Sequence, residues 1–142
     1  MTSTIAPATT DEEIAACFGT MRELRPHLVE ETFVGRVREQ MAGGYHLARL
    51  QTEGKVRAVA GYRFMQNLVW ERFLYVDDLV TASDSRSQGY GEALFSWLVD
   101  EARKAGCVQF HLDSGVQRFD AHRFYLARRM AITSHHFALD LR

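Results

Sequence analysis

From Asp77 to Leu94 the chain reads Asp-Asp-Leu-Val-Thr-Ala-Ser-Asp-Ser-Arg-Ser-Gln-Gly-Tyr-Gly-Glu-Ala-Leu. An apolar run, Phe73 to Thr81, passes into the polar stretch Ala82 to Gln88 and then into Gly89-Tyr90-Gly91. Beyond it, Ala93, Leu94, Trp97, Leu98 and Ala102 recur at helical spacing up to Lys104. The pattern predicts a strand, a short loop and a helix. The first amides of such a helix have no partner within it, and its end carries a partial positive charge, so the junction can seat a phosphate or pyrophosphate. Gly89 and Gly91 let the main chain approach a ligand closely, although glycines there also suit a tight strand-to-helix turn. A Walker loop is excluded because no Gly-Lys-Ser/Thr follows, and the Rossmann fingerprint because the third glycine of GxGxxG is missing.

Asp77 and Asp78 stand just upstream. A carboxylate beside a bound ligand can take a proton, but on a regular strand successive side chains face opposite ways, so at most one of the two faces the site. Each is equally suited to accepting hydrogen bonds from main chain or arginine. His111 and Asp113 on the next strand are rival proton acceptors. Of the six histidines, His135 and His136 are adjacent. Adjacent strand residues point to opposite faces and do not both ligate one metal without distortion, so no metal is expected.

The positioning elements follow from the rest of the sequence. Thr10 and Glu13 have capping-box spacing ahead of Ile14, Cys17, Phe18 and Met21, predicting a first helix that ends near Pro26. Phe33, Val34, Val37 and Met41 predict a second, stopped by Gly43-Gly44. Tyr45 to Leu50 and Val56 to Phe64 predict a hairpin turning at Thr52-Glu53-Gly54-Lys55. Cys107 to Leu112 reads as a buried strand, Phe119 to Arg129 as a helix, and Ile132 to Leu141 as a last strand broken by two histidines. The first nine residues have the composition of a frayed terminus. Helices and strands in this order predict an α/β or α+β arrangement on one mixed sheet, and with no repeat or linker the chain is expected to form a single domain over residues 1–142.

The 142 residues carry 17 Lys plus Arg against 18 Asp plus Glu, with 46% hydrophobic residues, which excludes intrinsic disorder. A formal charge of −1 gives no electrostatic footprint for nucleic acid or an anionic membrane. No window is long and apolar enough for a membrane span, and the N-terminus lacks the basic and apolar regions of a secretory signal. Cys17 and Cys107 fit no ligand spacing and read as reduced thiols, consistent with a cytoplasmic location.

The segment Arg86-x-x-Gly89-x-Gly91, with Asp-Asp-Leu-Val upstream and Ala121-x-x-Phe124-Tyr125 downstream, resembles the GNAT superfamily of acetyl-CoA-dependent N-acetyltransferases. The core of the match runs from about Phe73 to Met130. The resemblance implies a central mixed, mostly antiparallel sheet flanked by helices, and acetyl-CoA as cosubstrate with no metal. It implies that the main chain of Leu79, Val80 and Thr81 pairs with pantetheine. It also implies that Arg86, Ser87, Gln88, Gly89, Tyr90, Gly91 and Glu92 form the pyrophosphate site, and that Tyr125 points at the thioester sulfur as a general acid. Asp77 matches an acid that several members place on this strand; Asp78, His111, Asp113 and a water relay remain alternatives for the base. The chain departs from the family pattern at Ser87, at Arg118 in place of Asn, and at Arg129-Met130 in place of Gly-Phe.

The implied activity is direct attack of a primary amine on acetyl-CoA in a ternary complex. The alternative is a noncatalytic acyl-CoA-binding regulatory module, which would keep the glycine loop and lose acid and base. Nothing in the sequence selects the amine. A homodimer is possible, through an exposed sheet edge at the end of the chain.

Overall fold

The computed structural model describes residues 2–142, which divide after His111 into two compact units. The first contains β1 (Ser3–Pro7), α1 (Asp11–Ala16), α2 (Phe18–Leu24), α3 (Glu30–Ala42), β2 (Tyr45–Thr52), β3 (Lys55–Asn67), β4 (Glu71–Thr81), a 3₁₀ turn (Ser83–Ser85) and α4 (Tyr90–Lys104). β5 (Gln109–Leu112) completes a five-stranded sheet in the order β1-β2-β3-β4-β5. The β1–β2, β2–β3 and β3–β4 pairs are antiparallel.

Strand alternation sorts the interior into two layers. Tyr45, Leu47 and Val59 face the cluster formed by Ile14, Cys17, Phe18, Met21, Phe33 and Val37 of α1–α3. Ala48, Leu50, Ala58 and Ala60 point the other way, toward the face on which α4 packs with Leu94, Phe95 and Leu98 buried. The mixed α/β expectation holds.

The capping box forms as the spacing predicts: the Glu13 amide donates to the Thr10 hydroxyl (3.2 Å) and the Thr10 amide to the Glu13 carboxylate (3.0 Å). Main-chain donation from Thr10 and Thr9 lowers the Glu13 carboxyl to about 2. The predicted first helix is two helices, interrupted at Cys17, whose amide reaches back three residues to Ile14 (3.0 Å). The frayed terminus is also corrected. Residues 3–7 pair with Thr52 through Ala48, and the buried Arg49 side chain donates to the carbonyls of Ala6 and Pro7. Small polar residues form a strand here because a long-range partner supplies the hydrogen bonds that their composition does not advertise.

Most consequential for the site is an irregularity in β4. Gly61 lies opposite Asp78 and the next residue, Tyr62, opposite Val76, so Asp77 is an extra residue with no partner across the ladder. This is a β-bulge, and it resets the alternation of β4. Gly61 is required by contact rather than by φ: a Cβ there would lie 1.8 Å from the Tyr45 hydroxyl. Gly61→Ala is therefore expected to destabilise the fold by about 1–3 kcal/mol through overpacking, measured by denaturant unfolding.

The second unit, residues 112–142, holds α5 (Phe119–Ala127). The helix ends in a Schellman arrangement: Met130 N–H donates to Tyr125 O (3.1 Å) and Arg129 N–H to Leu126 O (3.0 Å), with Arg129 at φ 69°. Two strand expectations fail. β5 covers only Gln109–Leu112 and its side chains are half-buried or exposed, whereas Cys107 to Leu112 reads as buried. The expected last strand, Ile132 to Leu141, does not form; residues 131–142 lie in no helix or strand and are exposed throughout. Alternation alone does not make a strand, because main-chain donors and acceptors require a neighbouring strand.

Candidate active site

The β4 bulge carries both strand acids to the same face of the sheet, contrary to the alternation expected of a regular strand. Asp78 lies opposite Gly61, on the side of Tyr45, and accepts from the Tyr45 hydroxyl at Oδ2 (2.8 Å) and from Arg25 Nε at Oδ1 (2.9 Å). Asp77 accepts from Arg63 Nε at Oδ2 (2.9 Å), and its carbonyl accepts from the other end of the Arg25 guanidinium (2.9 Å). Arg63 in turn sits over the Tyr45 ring, 5.3 Å from its centroid. Arg25 thus grips the bulge at two points, through one main-chain and one side-chain oxygen.

The two carboxylates are inequivalent. Asp78 has a partner on each oxygen, whereas Asp77 is held through Oδ2 alone. Burial raises the Asp77 carboxyl above its ordinary value, and hydrogen bonding and charge from Arg63 oppose the rise. Burial, reinforced by Asp78, pushes the Tyr45 phenol strongly upward, so Tyr45 stays protonated and acts as a donor.

The polar loop after β4 is fixed at its base. Ala82 N–H donates to Arg57 O (2.8 Å), Ser83 N–H to Glu23 (2.9 Å), and Lys55 pairs with Asp84 (2.8 Å). Ser85 is buried, with its hydroxyl 2.8 Å from Asp84 Oδ1. Arg86, Ser87, Gln88 and Gly89 are then exposed. Gly89, at φ 81°, is the N-cap of α4; no side chain caps this end, and the first amide to close onto it is Ala93, bonded to Gly89 O (3.0 Å). Tyr90 and Gly91 are half-buried and Glu92 exposed in the first turn. The junction thus has the uncapped helix start that its sequence predicts. Leu79, Val80 and Thr81 run in register with Ala60, Val59 and Ala58 of β3.

Ser87 adopts φ 66°, and Arg129 has the left-handed φ noted above. These are two positions where the resembled family pattern carries glycine, and the chain keeps a glycine-like backbone at both. Left-handed φ at a non-glycine costs about 1–2 kcal/mol. At Ser87 the demand is thus on backbone conformation as well as on the amide.

Within the second unit, burial raises the Tyr125 phenol, opposed by the charge of Arg118 and by a hydrogen bond from its side chain. Arg118, at the N-cap of α5, is therefore engaged with the phenol. His122 is held by the Gly115 carbonyl (2.7 Å). The rival bases are also occupied: His111 stacks on Trp70 (3.7 Å between centroids) and bonds Gln109 (2.6 Å), and Asp113 lies 3.5 Å from His136. Cys17 and Cys107 are free thiols. Among the described residues no cluster of His, Cys, Asp or Glu is arranged to hold a metal, and no helix is long and apolar enough to cross a membrane.

Arg25, Tyr45, Gly61 and Arg63 were not visible as site residues in the sequence. The one available signal was Gly61 inside a strand pattern, which marks a bulge or a close approach.

The acetyltransferase (GNAT) family matches residues 9–130 of the chain. An uncharacterized N-acetyltransferase, YhdJ, of Bacillus subtilis (strain 168) is 39% identical over 118 residues, covering 82% of this chain and 83% of YhdJ. Among solved structures, AAC(6')-Iy in complex with the bisubstrate analog CoA-S-monomethyl-acetylneamine superposes with a TM-score of 0.87 at 12% identity, covering 100% of this chain and 99% of that one. Glucosamine-6-phosphate N-acetyltransferase from Arabidopsis thaliana gives 0.79 at 19% identity, with both chains fully covered at 100%. These two similarities show a shared fold.

Proposed function

Because this chain belongs to the acetyltransferase (GNAT) family and is an acyltransferase, we propose that it moves an acetyl group from acetyl-CoA to a primary amine by direct attack in a ternary complex. The observation that carries this reading is the uncapped start of α4 behind Gly89, preceded by a bulged strand bearing two carboxylates. In this proposal the amides of Ser87 to Glu92 hold the pyrophosphate, Arg86 adds positive charge beside it, and the main chain of Leu79, Val80 and Thr81 pairs with pantetheine along the edge of β4 not taken by β3. The N-terminal dipole of α4 favours the anion.

Asp77 serves as the base, directly or through a water. An alkylamine with a pKa near 10.4 is almost wholly protonated at neutral pH, and its nitrogen has no lone pair for attack until that proton leaves. Asp77 has the raised carboxyl and the less occupied oxygen pair. Asp78, saturated by Arg25 and Tyr45, holds the bulge that aims Asp77. The freed amine attacks the thioester carbonyl carbon; the C–N bond forms, the C–S bond breaks, and Tyr125 donates its proton to the departing sulfur. Arg118 supports the oxygen that gives up that proton. Two free thiols suit a cytoplasmic setting.

The reading is tested by a screen of amine classes with acetyl-CoA, following release of free thiol. Amine-dependent thiol release is expected; tight acetyl-CoA binding with no turnover on any amine would favour the noncatalytic module. The cofactor site has its own test. Gly89→Val places a β-branched residue at φ 81°, a conformation it resists. The variant is expected to fold and to bind coenzyme A at least tenfold more weakly by calorimetry, and unchanged affinity would remove the site from this loop.

A further inference from the structure

Asp77 is flanked by two guanidinium groups, and they are occupied to different degrees. Arg63 gives Nε to Asp77 Oδ2 (2.9 Å) and Nη2 to Gln40 Oε1 (2.6 Å), and its Cζ lies over the Tyr45 ring. Arg25 gives Nε to Asp78 Oδ1 and Nη2 to the Asp77 carbonyl, both at 2.9 Å. Those two bonds use one edge of the guanidinium fork, and among the described residues no acceptor meets Nη1. The Arg25 side chain is 43% exposed, against 23% for Arg63. Among the described residues the only buried side-chain polar atom without a partner is Ser114 Oγ, so Arg25 Nη1 opens to solvent.

This open end is held in place. Arg25 closes α2, its amide donating to Met21 O (2.9 Å) and its carbonyl accepting from Leu28 N–H (3.1 Å), with Leu28 packed against the core cluster. With the main chain fixed on both sides and the side chain fixed by the bulge, the guanidinium is preorganised beside Asp77.

An amine approaching Asp77 therefore meets a fixed edge of N–H donors. For an amine whose only charge is its ammonium, that edge is a like charge, which costs binding. For an amine that also bears a carboxylate, the same edge is a partner, because guanidinium donors match carboxylate oxygens. The side-chain charges of Arg25, Arg63, Asp77 and Asp78 already sum to zero, and a zwitterion adds none. The two docking groups meet at one residue, since Arg25 is bonded to the carbonyl of Asp77 itself, so ammonium and carboxylate must lie close together on the acceptor.

On the premise that this site transfers acetyl, we propose that the acceptor is an amino acid, its ammonium docking at the open Asp77 Oδ1 and its carboxylate on the outward edge of Arg25. The amine proton passes to Asp77, the nitrogen forms the amide bond as the C–S bond breaks, and the carboxylate is unchanged. Arg25 is thus a specificity-determining residue.

A panel of thiol-free L-amino acids and β-alanine is assayed with acetyl-CoA, each beside the amine left by removal of its carboxylate. At least one amino acid is expected to exceed its partner in kcat/KM by about tenfold or more, the size of one hydrogen bond between charged groups. In folded Arg25→Gln that ratio is expected to fall by about tenfold through the KM of the amino acid, and comparison on the same pair cancels their difference in basicity. A merely structural Arg25 would slow both members alike, and an unchanged ratio overturns the proposal. Should the variant unfold, the parent decides. The N-acetyl amino acid, which has no ammonium, is expected to compete with the acceptor about tenfold more tightly than the matching N-acetyl amine, and equal inhibition overturns the proposal. Turnover of amines with no preference for a carboxylate overturns this inference and leaves acetyl transfer standing. Tight acetyl-CoA binding with no turnover of any amine defeats the acetyl-transfer reading, and this inference with it.

Discussion

Tyr125→Phe is expected to lower kcat by about 10²-fold or more while leaving acetyl-CoA affinity nearly unchanged, the range typical of a lost general acid. The substitution keeps the ring in its half-buried place on α5 and removes only the hydroxyl. Burial raises the phenol above its ordinary value of 10.0, so it is protonated through the neutral range and has a proton to give; the nearby Arg118 keeps that proton from being held too tightly. The check is steady-state kinetics with a genuine amine acceptor, beside calorimetry for acetyl-CoA. A Phe variant at full rate would remove Tyr125 from the reaction and leave proton delivery to water.

Asp77→Asn is expected to have an effect of similar size, about 10²-fold in kcat/KM, and to remove the acid limb of the parent's pH profile. The sign follows from which form works: only the ionised carboxylate takes a proton, so parent activity rises as pH rises through the elevated pKa of Asp77. Removing the opposing cation with Arg63→Gln should carry the same limb to higher pH, because hydrogen bonding and charge from Arg63 hold the carboxyl down. Asp78→Asn should act differently. It weakens contacts to Arg25 and Tyr45 in a partly buried setting and should cost about 1–3 kcal/mol of stability. If Asp77→Asn and Asp78→Asn both retain the parent's pH profile, the base is neither, and a water relay takes the role.

A pair of strand acids beside an amine site suggests an electrostatic trap for ammonium, yet both carboxylates already contact arginines, and Asp78 is also bonded to a phenol that does not ionise. Net charge in the cluster is therefore close to balanced. In the proposed reaction, selection of the amine is expected to come from shape and hydrogen bonding around Asp77 more than from bulk negative charge.

The sequence by itself determined the strand, loop and helix from Phe73 to Lys104, because that signal is local: an apolar run, a polar loop, glycines and a helical period each state their own conformation. It determined the Thr10–Glu13 capping box and the Gly43-Gly44 stop for the same reason. It named the family through Arg86, Gly89, Gly91 and Tyr125, which the match over residues 9–130 bears out. Tertiary structure alone decided that Ser3–Pro7 is a strand and that Ile132 to Leu141 is not one within its own chain, since pairing depends on a neighbour that no window of sequence contains. It alone brought Arg25, Tyr45, Gly61 and Arg63 to the strand acids, across separations of up to 53 residues. And it overruled the alternation of Asp77 and Asp78: one extra residue in β4 opposite a glycine with no room for a side chain turns two opposed carboxylates onto the same face, because period-two geometry holds only while the ladder advances one residue on each strand.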